Sequence, residues 1–389
     1  METPLKYSIG FDCSKDDLEA ALLLTDIQHN TVVKATRKFT NTQKGFSDCG
    51  YWITHHCKLD IPVCVCIEAT GNYHENVVFY LYQRAYKVSV VLPNKARKYM
   101  QSLGLKSKND KIDAKGLAQM GAEQNLTLWQ PFSETIYDLR ALTRYCEQLA
   151  CHRTQFMNQL SSMQSGMYQT EDVAKGLQEL IDLTGKQIDE TKTKIQEMIQ
   201  SDEKMNERFN KILPIKGLGF LTLATVVAET NGFELFQNER QLASYAGYDV
   251  IENQSGKRVG KTRISKKGNS HIRRILHMSS LNVVRCKEQK FVDIYNRIMS
   301  KTTVKMKAYV AIQRKLLCLI YTLWKKNEAF DAHYQRTSGN AEQEVLFPHG
   351  FAETVKKVGE INPPTQDELP YKAFAGSPLS AMQIYDKNN

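Results

Sequence analysis

Short apolar runs separated by polar turns fill residues 6–130, and this pattern predicts an α/β domain. The segment IPVCVCIEA is apolar almost throughout, as expected of a strand covered on both faces of its sheet. The stretches FSDCGYWITHHCK and NYHENVVFYLYQRAY have the apolar spacing of helices. The other predicted strands are KYSIGFDCS, LEAALLLTD, TVVKATRKFT and KVSVVLP, and a helix-rich segment follows them.

Beyond residue 134 the apolar residues recur at every third or fourth position. The segments LRALTRYCEQLACHRTQFMNQLSSM and LQELIDLTGKQIDETKTKIQEMIQ predict two long helices that form a hairpin or a coiled coil. A mostly helical pattern continues to about residue 335, and the remaining chain is polar with little periodicity. We therefore predict four regions, at residues 1–133, 134–209, 210–335 and 336–389, the last a peripheral or flexible tail.

The charge of the chain is unevenly distributed. Its 389 residues include 52 Lys and Arg against 42 Asp and Glu, a formal net charge of +10. The surplus is dense in KARKYMQSLGLKSKNDK and SGKRVGKTRISKKGNSHIRR, which suits a polyphosphate partner, although a single basic run is usually solvated surface. No window reaches the roughly 18 consecutive apolar residues of a membrane span, so we expect no membrane association.

The nine cysteines are scattered, and their odd number, their apolar settings and the lack of a signal peptide favour reduced thiols in a cytoplasm. One stretch brings His55, His56, Cys57, Cys64 and Cys66 close in sequence. Its spacing fits no closed four-ligand zinc site. Cys64 and Cys66 alternate within an apolar strand, so we expect both to face one side of the sheet.

Four acidic residues stand at the ends of predicted elements in the first domain. Asp12 and Glu68 end two strands, while Asp110 and Asp113 lie three apart on one helix face. Ligands collect outside the strand ends of an open α/β sheet, and four carboxylates there would repel one another unless divalent cations neutralised them. Each acid alone is also explained as a turn residue or a helix cap, an explanation that is fair for Asp12 but weaker for Glu68, because a carboxylate that ends a core strand needs a partner. Only their combined order favours a metal site.

The C-terminal region contains a glycine-rich turn and a basic loop. Gly217 and Gly219 suit a helix-hairpin-helix whose turn faces a phosphate, although a helix C-cap explains them as well. Ser255 precedes a glycine, which by itself indicates a turn. The cations around it could neutralise a phosphate under attack, yet no histidine lies at an obvious distance to activate its hydroxyl. These cations are Lys257, Arg258, Lys261, Arg263, Lys266 and Lys267.

The acidic motifs resemble those of a known family. IGFDCSKDDLEAAL, CIEATGNYHENV and KSKNDKIDAKGLA are similar to the N-terminal domain of the DEDD insertion-sequence transposases, the IS one-ten family, which is related to the Piv-type invertases. On this resemblance Asp12, Glu68, Asp110 and Asp113 carry the acidic positions. Lys15 and the segment Thr70-Gly71-Asn72-Tyr73 fall in the same motifs.

The C-terminal motifs of that family match in the same order. The matching segments are Gly217-Leu218-Gly219, Ala246-Gly247-Tyr248, Ser255-Gly256 and RISKKG at residues 263–268. The family's nucleophilic serine precedes glycine and therefore corresponds to Ser255, with Ser265 as the alternative. Tyr248-Asp249 departs from the family's usual Leu followed by Thr or Val, and the proline that commonly follows is missing.

The resemblance, which spans residues 6–335, implies a fold and an activity. It implies an RNase H-like, RuvC-like α/β N-terminal domain, a helical coiled-coil segment, and a mostly α C-terminal transposase domain with a helix-hairpin-helix-like element. It implies a bacterial, cytoplasmic, nucleoid-associated DNA recombinase that uses Mg²⁺ or Mn²⁺ and a covalent serine–DNA intermediate. It also implies a structured non-coding bridge RNA as guide and assembly into dimers or tetramers.

We expect the dense basic stretches to contact nucleic acid. The residues expected to do so are Lys106, Lys108, Lys257, Arg258, Lys261, Arg263, Lys266, Lys267, Arg273 and Arg274. Two other functions stay open. One is a RuvC-like, structure-selective nuclease that cuts DNA by hydrolysis, with Ser255 a loop residue. The other is a nucleic-acid-binding protein without catalytic activity.

Overall fold

The computed structural model describes residues 3–104, 109–168, 170–255, 258–260 and 262–332, with the main chain alone at 255, 258 and 259. The chain divides into two compact units, Met1–Pro131 and Phe132–Asn389. No helix within the described ranges is long and apolar enough to cross a membrane. The tail predicted at 336–389 lies outside the described residues.

The N-terminal unit contains the five predicted strands, which form one mixed sheet. Its strands are β1 (Pro4–Cys13), β2 (Asp17–Asp26), β3 (Thr31–Thr40), β4 (Val63–Glu68) and β5 (Lys87–Val91). They lie side by side in the order β3-β2-β1-β4-β5. The first three are antiparallel neighbours, whereas β4 runs parallel to both β1 and β5.

The two faces of this sheet are covered by different helices. The helices of the unit are α1 (Gln43–His56), α2 (Glu75–Gln83), α3 (Pro93–Ser102) and α4 (Asp110–Glu123). Because side chains alternate along a strand, Tyr7, Ile9 and Phe11 of β1 join one apolar core with residues of α1 and α2. Ser8 and Gly10 face the other way, toward α4.

The predicted direction of Cys64 and Cys66 is confirmed. The Cys64 thiol lies 3.5 Å from the Gly121 carbonyl oxygen of α4, and Gly121 also packs against the Cys66 side chain. The nine cysteines, all within the described ranges, are free thiols.

Helices build most of the C-terminal unit between residues 132 and 332, as predicted. They are α5 (Glu134–Gln164), α6 (Glu171–Ser201), α7 (Glu203–Ile212), α8 (Phe220–Glu229), α9 (Glu239–Tyr245), α10 (Ser270–Arg285), α11 (Gln289–Met299) and α12 (Lys305–Lys326). The two long predicted helices, α5 and α6, pack along each other. Their region falls in the same compact unit as the rest of the C-terminal helices.

Four two-residue strands lie between α9 and α10. They are β6 (Val250–Ile251), β7 (Gln254–Ser255), β8 (Arg258–Val259) and β9 (Arg263–Ile264). β6 pairs with β9, and inside that pair β7 pairs with β8. The segment predicted as a polar loop is therefore a pair of nested hairpin ladders.

Candidate active site

The carboxyl ends of β1 and β4 place Asp12 and Glu68 side by side. The strands are parallel, and their last registered pair is Phe11 with Ile67. Asp12 and Glu68 are the next residue on each strand, and both are half-buried. Side chains alternate in direction, so Asp12 shares the sheet face of Ser8 and Gly10, which is the face that α4 covers.

Helix α4 brings its first turn to the same end of the sheet. Ser8 Oγ donates a 2.6 Å hydrogen bond to the Ala118 carbonyl oxygen. A Cβ atom on Gly10 would overlap main-chain atoms of Ala114 and Ala118, so only glycine lets α4 lie this close. Asp110 is one helical turn before Ala114, about 6 Å, and Asp12 is two strand residues after Gly10, about 7 Å. The first turn of α4 therefore stays beside Asp12.

Asp12 and Asp110 line one open cleft of about 310 Å³. The other lining residues are Cys13, Ser14, Lys15, Asp17, Glu19, Lys38, Thr70 and Tyr73. The lining contains four carboxylates and two ammonium groups, so the formal charge of the cleft is negative. Glu68 and Asp113, both half-buried, are described by the structure but do not belong to this lining.

The negative charge of the cleft raises the pKa of two neighbouring groups, Cys13 and Lys38. Burial raises the pKa of the Cys13 thiol, and the charges of Asp12 and Glu68 raise it further. The hydrogen bond and charge of Asp17 raise the pKa of Lys38, and Glu19 and Asp110 add smaller effects. The acidic groups of β1, β2, β4 and α4 thus act on one region of the unit.

The donor chemistry of this cleft fits a hard divalent cation. Within the described ranges, no three His, Cys, Asp or Glu side chains form a ready metal-binding group. A closed cage is not what Mg²⁺ requires, because it is usually held by one or two carboxylates together with water and substrate phosphate oxygens. Asp12 and Asp110, in one cleft, supply such a pair.

Asn41 joins two loops that form the wall of the cleft. Its Nδ2 donates to the main-chain oxygens of Ser14, at 2.8 Å, and Tyr73, at 2.9 Å. Its main-chain N–H donates to the Asp16 carbonyl oxygen at 2.8 Å. The turn after β1 and the TGNY loop after β4 are therefore fixed to each other. No sequence pattern singles out this residue, since the loops are distant along the chain.

A second group of predicted residues meets in the C-terminal unit. Ser255 lies at the end of β7, and its main chain pairs with Arg258. Gly256, Lys257 and Lys261 lie outside the described residues, as do Lys106 and Lys108 of the N-terminal unit.

The RISKKG motif folds back onto the Ala246-Gly247-Tyr248 segment. The main-chain N–H of Ser265 donates to Asp249 O at 2.7 Å, and that of Lys266 donates to Gly247 O at 3.1 Å. A Cβ atom on Gly268 would overlap the Tyr245 carbonyl oxygen, so the final glycine of the motif permits this contact. The structure thus joins two motifs that lie about 20 residues apart in the sequence.

The hydroxyl of Ser265 is used within this fold. Its Oγ donates to Gly247 O at 3.2 Å and accepts from the Lys267 main-chain N–H at 3.3 Å. These bonds support a structural role for Ser265 rather than a nucleophilic one.

A buried carboxylate fixes the start of α10. Glu229 is fully buried and accepts from Arg144 Nε at 2.6 Å and from Asn269 Nδ2 at 2.6 Å. Burial favours a higher pKa for Glu229, but these bonds and the charges of Arg144 and Arg140 outweigh it and lower the pKa. Asn269 also caps α10, because its Oδ1 accepts from Ile272 N. Glu229 therefore links Arg144 of α5 to Asn269, the residue that follows the RISKKG motif.

The predicted basic residues of this region fall into two groups. Arg263, Lys266 and Lys267 are exposed. Arg273 Nη1 donates to Ala246 O at 2.8 Å, and burial lowers the pKa of this guanidinium. Arg274 pairs with Glu147 at 2.9 Å and also contacts Cys151 Sγ. Both arginines thus have partners inside the unit.

The glycine-rich turn before α8 packs against another helix. Gly217 has a φ of +89°, and a Cβ atom there would lie 2.6 Å from main-chain atoms of Asn282 and Val283 in α10. Gly219 is the N-cap residue of α8. The need for glycine at position 217 is therefore explained by helix packing. A phosphate contact at this turn stays a prediction.

Comparison with known proteins matches both units. A DEDD transposase model of the IS110 type matches residues 9–169, and a model described as Transposase IS116/IS110/IS902 family matches residues 210–296. The pilin gene-inverting protein of Moraxella bovis is 31% identical over 328 residues, which cover 84% of this chain and 98% of that protein. The chain belongs to the IS110 family of transposases. The resemblance drawn from the sequence motifs is thereby confirmed.

Other similarities are more distant. The transposase for insertion sequence element IS1111A of Coxiella burnetii is 22% identical over 292 residues, covering 69% of this chain and 79% of that protein. Among solved structures, T. thermophilus RuvC in complex with a Holliday junction substrate covers 29% of this chain at 10% identity, with a TM-score of 0.23. Membership of the IS110 family makes this protein an enzyme of DNA transposition and recombination.

Proposed function

We propose that this IS110 transposase cuts and rejoins DNA through a covalent link to Ser255, with divalent cations held by the acidic cleft. The observation that carries the metal part of the proposal is the convergence of β1, β4 and α4, which places Asp12 beside Glu68 and in one cleft with Asp110. The role of Ser255 rests on the family resemblance of its motif. A net acidic cleft would repel DNA unless cations neutralised it. In this proposal Asp113 supports the same site from the first turn of α4.

The sheet supports an RNase H-like, RuvC-like assignment for the N-terminal unit. Three antiparallel strands are followed by two strands parallel to the first, in the order β3-β2-β1-β4-β5. The packing of α5 along α6 supports the coiled-coil interpretation of the long helices. These assignments agree with the family resemblance and are part of the proposal.

The chemistry proposed for Ser255 is a transesterification. Its Oγ attacks a DNA phosphorus atom and forms an O–P bond, while the bond from phosphorus to one strand oxygen breaks and leaves a DNA hydroxyl. A hydroxyl of another strand then attacks the phosphoserine, which frees Ser255 and joins the strands. The exposed Arg263, Lys266 and Lys267 would stabilise the charge on the phosphate. When bound, Mg²⁺ or Mn²⁺ supplies charge neutralisation at the DNA strands.

The partners of the reaction are proposed from the family resemblance. They are DNA at the element ends and the target, a structured non-coding guide RNA, and further copies of this chain as a dimer or tetramer. The clustered basic residues support binding to a polyanion, whose affinity would depend strongly on salt. Sequence specificity would be provided by base pairing with the RNA.

A hydrolytic nuclease of the RuvC type is the second candidate, and the acidic cleft favours it equally. The two functions differ in one product, because hydrolysis by metal-activated water leaves no protein attached to DNA.

A trapping experiment separates these functions. The full chain is incubated with Mg²⁺, the flanking non-coding RNA and labelled element-end DNA, then denatured and examined for protein-linked DNA. We expect an adduct with the wild type and with Ser265→Ala, the matched serine control, and none with Ser255→Ala. Cleavage without an adduct that persists in Ser255→Ala and is lost in Asp12→Ala would establish the nuclease instead.

A further inference from the structure

Two lysines line the acidic cleft, and they differ in their partners. Lys38 forms a 2.8 Å ion pair with Asp17, which also lines the cleft. Lys15 is exposed and forms no ion pair with any residue that the structure describes. An ammonium group without a carboxylate partner can bind a phosphate oxygen without first losing an ion pair. Lys15 is therefore the lysine of this lining that is better suited to contact DNA.

The turn that carries Lys15 is held on both sides of this residue by Asn41. Asn41 Nδ2 donates to the main-chain oxygen of Ser14, directly before Lys15, and its main-chain N–H donates to that of Asp16, directly after it. The same Nδ2 also donates to the main-chain oxygen of Tyr73 in the TGNY loop. Because Ser14 and Tyr73 both line the cleft, Asn41 fixes the place of Lys15 relative to the opposite loop.

The turn between β1 and β2 has bonds of its own that fix its shape. The main-chain N–H of Ser14 donates to the Asp17 carbonyl oxygen at 2.9 Å. The main-chain N–H of Asp17 donates to Ser14 Oγ at 3.0 Å. On either side of the turn, Cys13 pairs with Leu18 in the strand register. The contribution of the Asn41 side chain is therefore the link between this turn and the TGNY loop, rather than the turn itself.

The other end of the Asn41 amide limits how far this contact stabilises the fold. Its Oδ1 atom is buried and accepts no hydrogen bond from the described part of the chain. A buried acceptor without a partner is unfavourable, so it offsets part of the gain from the two bonds of Nδ2. This balance favours a role for Asn41 in positioning the turn over a role in stability alone.

We infer that Asn41 is a positioning residue, which holds the turn so that the Lys15 ammonium group meets a DNA phosphate at the acidic cleft. The inference rests on the proposed function of the cleft, because the DNA strand must lie there for Lys15 to reach it. The contact would neutralise charge on the phosphate and orient the strand across Asp12 and Asp110.

The test is the rate at which the full-length protein cuts labelled element-end DNA, under the conditions of the trapping experiment. We expect Lys15→Gln, which removes the ammonium group, and Asn41→Ala, which removes the link, each to slow cleavage about tenfold. The matched controls should cut at the wild-type rate. Lys34→Gln changes an exposed lysine of β3 outside the cleft lining, and Asn30→Ala changes an amide that donates to Asp26 at the other end of β3. Wild-type cleavage by Lys15→Gln or by Asn41→Ala would overturn the inference.

The double variant Lys15→Gln/Asn41→Ala separates positioning from a merely structural effect. If Asn41 acts through Lys15, its loss has little effect once the ammonium group is absent, and the double variant should cut as slowly as the slower single variant. Independent effects would multiply to a loss of about a hundredfold and would reject the positioning role. Thermal unfolding checks that each variant is folded. Should Asn41→Ala fail to fold, Asn41→Ser replaces it, because a hydroxyl donates to one of the two carbonyl oxygens at most, and the same non-additive loss is expected.

Asp12→Asn separates failure of this inference from failure of the proposed function. If Asp12→Asn cuts DNA at the wild-type rate, the acidic cleft takes no part in cleavage, and the proposed function and the inference both fail. If Asp12→Asn loses cleavage whereas Lys15→Gln and Asn41→Ala cut like the wild type, only the roles of Lys15 and Asn41 are rejected.

Discussion

At the scale of single residues, four neighbouring cations of the C-terminal unit have different surroundings. Lys266 and Lys267 are exposed, and Arg274 is exposed but paired with Glu147. Arg273 is half-buried and donates to Ala246 O. An exposed lysine can exchange its counterion for a DNA phosphate at little structural cost. A guanidinium already bonded within the protein must first lose those bonds. Of these four cations, Lys266 and Lys267 are therefore expected to add most directly to DNA affinity, and Arg273 least.

This difference predicts distinct salt dependences for DNA binding. Lys266→Gln and Lys267→Gln should each reduce the slope of log affinity against log salt by about one, and weaken binding to all sequences alike. Arg273→Gln serves as the control and should leave the slope unchanged, because the half-buried Arg273 guanidinium already donates to Ala246 O and Asn269 O. Fluorescence anisotropy at several salt concentrations measures the slope. A changed preference among target sequences in either lysine variant would contradict recognition by base pairing.

The candidate site was only partly predictable from single residues. Asp12, Glu68, Asp110 and Asp113 could be found because strand ends and a helix start leave a local pattern. The place of Glu19 in the cleft lining and the contacts of Asn41 could not, since they depend on the strand register and on loops that meet across the fold. Asp17 and Glu19 alternate as polar residues at the start of an otherwise apolar strand, which by itself is only a weak sign of a site.

At the scale of elements, the position of α4 on β1 determines the geometry of the acidic cleft. Ser8 and Gly10 hold the helix through a hydrogen bond and a main-chain contact. The same two residues lie on β1, which carries Asp12 next to its last residue. Any displacement of α4 therefore moves Asp110 relative to Asp12 without changing either acid.

We predict that Gly10→Ala destabilises the N-terminal unit by about 1–3 kcal/mol, because the added methyl group overlaps the main chain of α4. It should also weaken Mn²⁺ binding. Gly176→Ala is the matched control: Gly176 lies in α6, and a Cβ atom there has open space. This change should stabilise the protein by about 0.5–1 kcal/mol and leave Mn²⁺ binding unchanged. Denaturant unfolding measures both free energies, and equal stability of the two variants would refute the packing argument.

Most elements could be predicted because they are long enough for their pattern of apolar residues to be recognised in the sequence. The helices α5 and α6 repeat their apolar residues every three or four positions, and the strands β2 and β4 form apolar runs that are nearly continuous. The strands β6 to β9 contain two residues each, which is too short for any alternation. The grouping of α5 with the C-terminal unit was also hidden, since contacts such as Arg144 with Glu229 join residues that lie 85 positions apart.

At the scale of the whole molecule, the described residues form two units with separate cores. The apolar clusters of the N-terminal unit contain residues between Tyr7 and Trp129. The cluster of the C-terminal unit contains residues between Phe132 and Phe330. The acidic cleft belongs entirely to the first unit, and the RISKKG motif belongs entirely to the second. Each unit thus carries one part of the proposed chemistry.

We predict that residues 1–131, produced alone, unfold cooperatively and bind Mn²⁺ with the affinity of the full chain, because every residue of the cleft and its core is present. The fragment should form no DNA adduct, since it lacks Ser255. Circular dichroism and Mn²⁺ titration test this, with the fragment carrying Asp12→Asn as the control. A fragment that folds but has lost Mn²⁺ affinity would show that the second unit contributes to the cation site.

The order of the acidic residues along the chain has a consequence for synthesis on the ribosome. Asp12 and Glu19 are seven residues apart and meet in a hairpin, whereas Asp110 follows Asp12 by 98 residues. At a translation rate of about 5–20 residues per second, the helix that carries Asp110 emerges roughly 5–20 seconds after that hairpin. During this interval the nascent chain has only part of the proposed cation site. Residue 255, about two thirds of the way along the 389 residues, is made later still. On the proposed function, the growing chain therefore cannot yet link itself to the DNA from which its own message is transcribed.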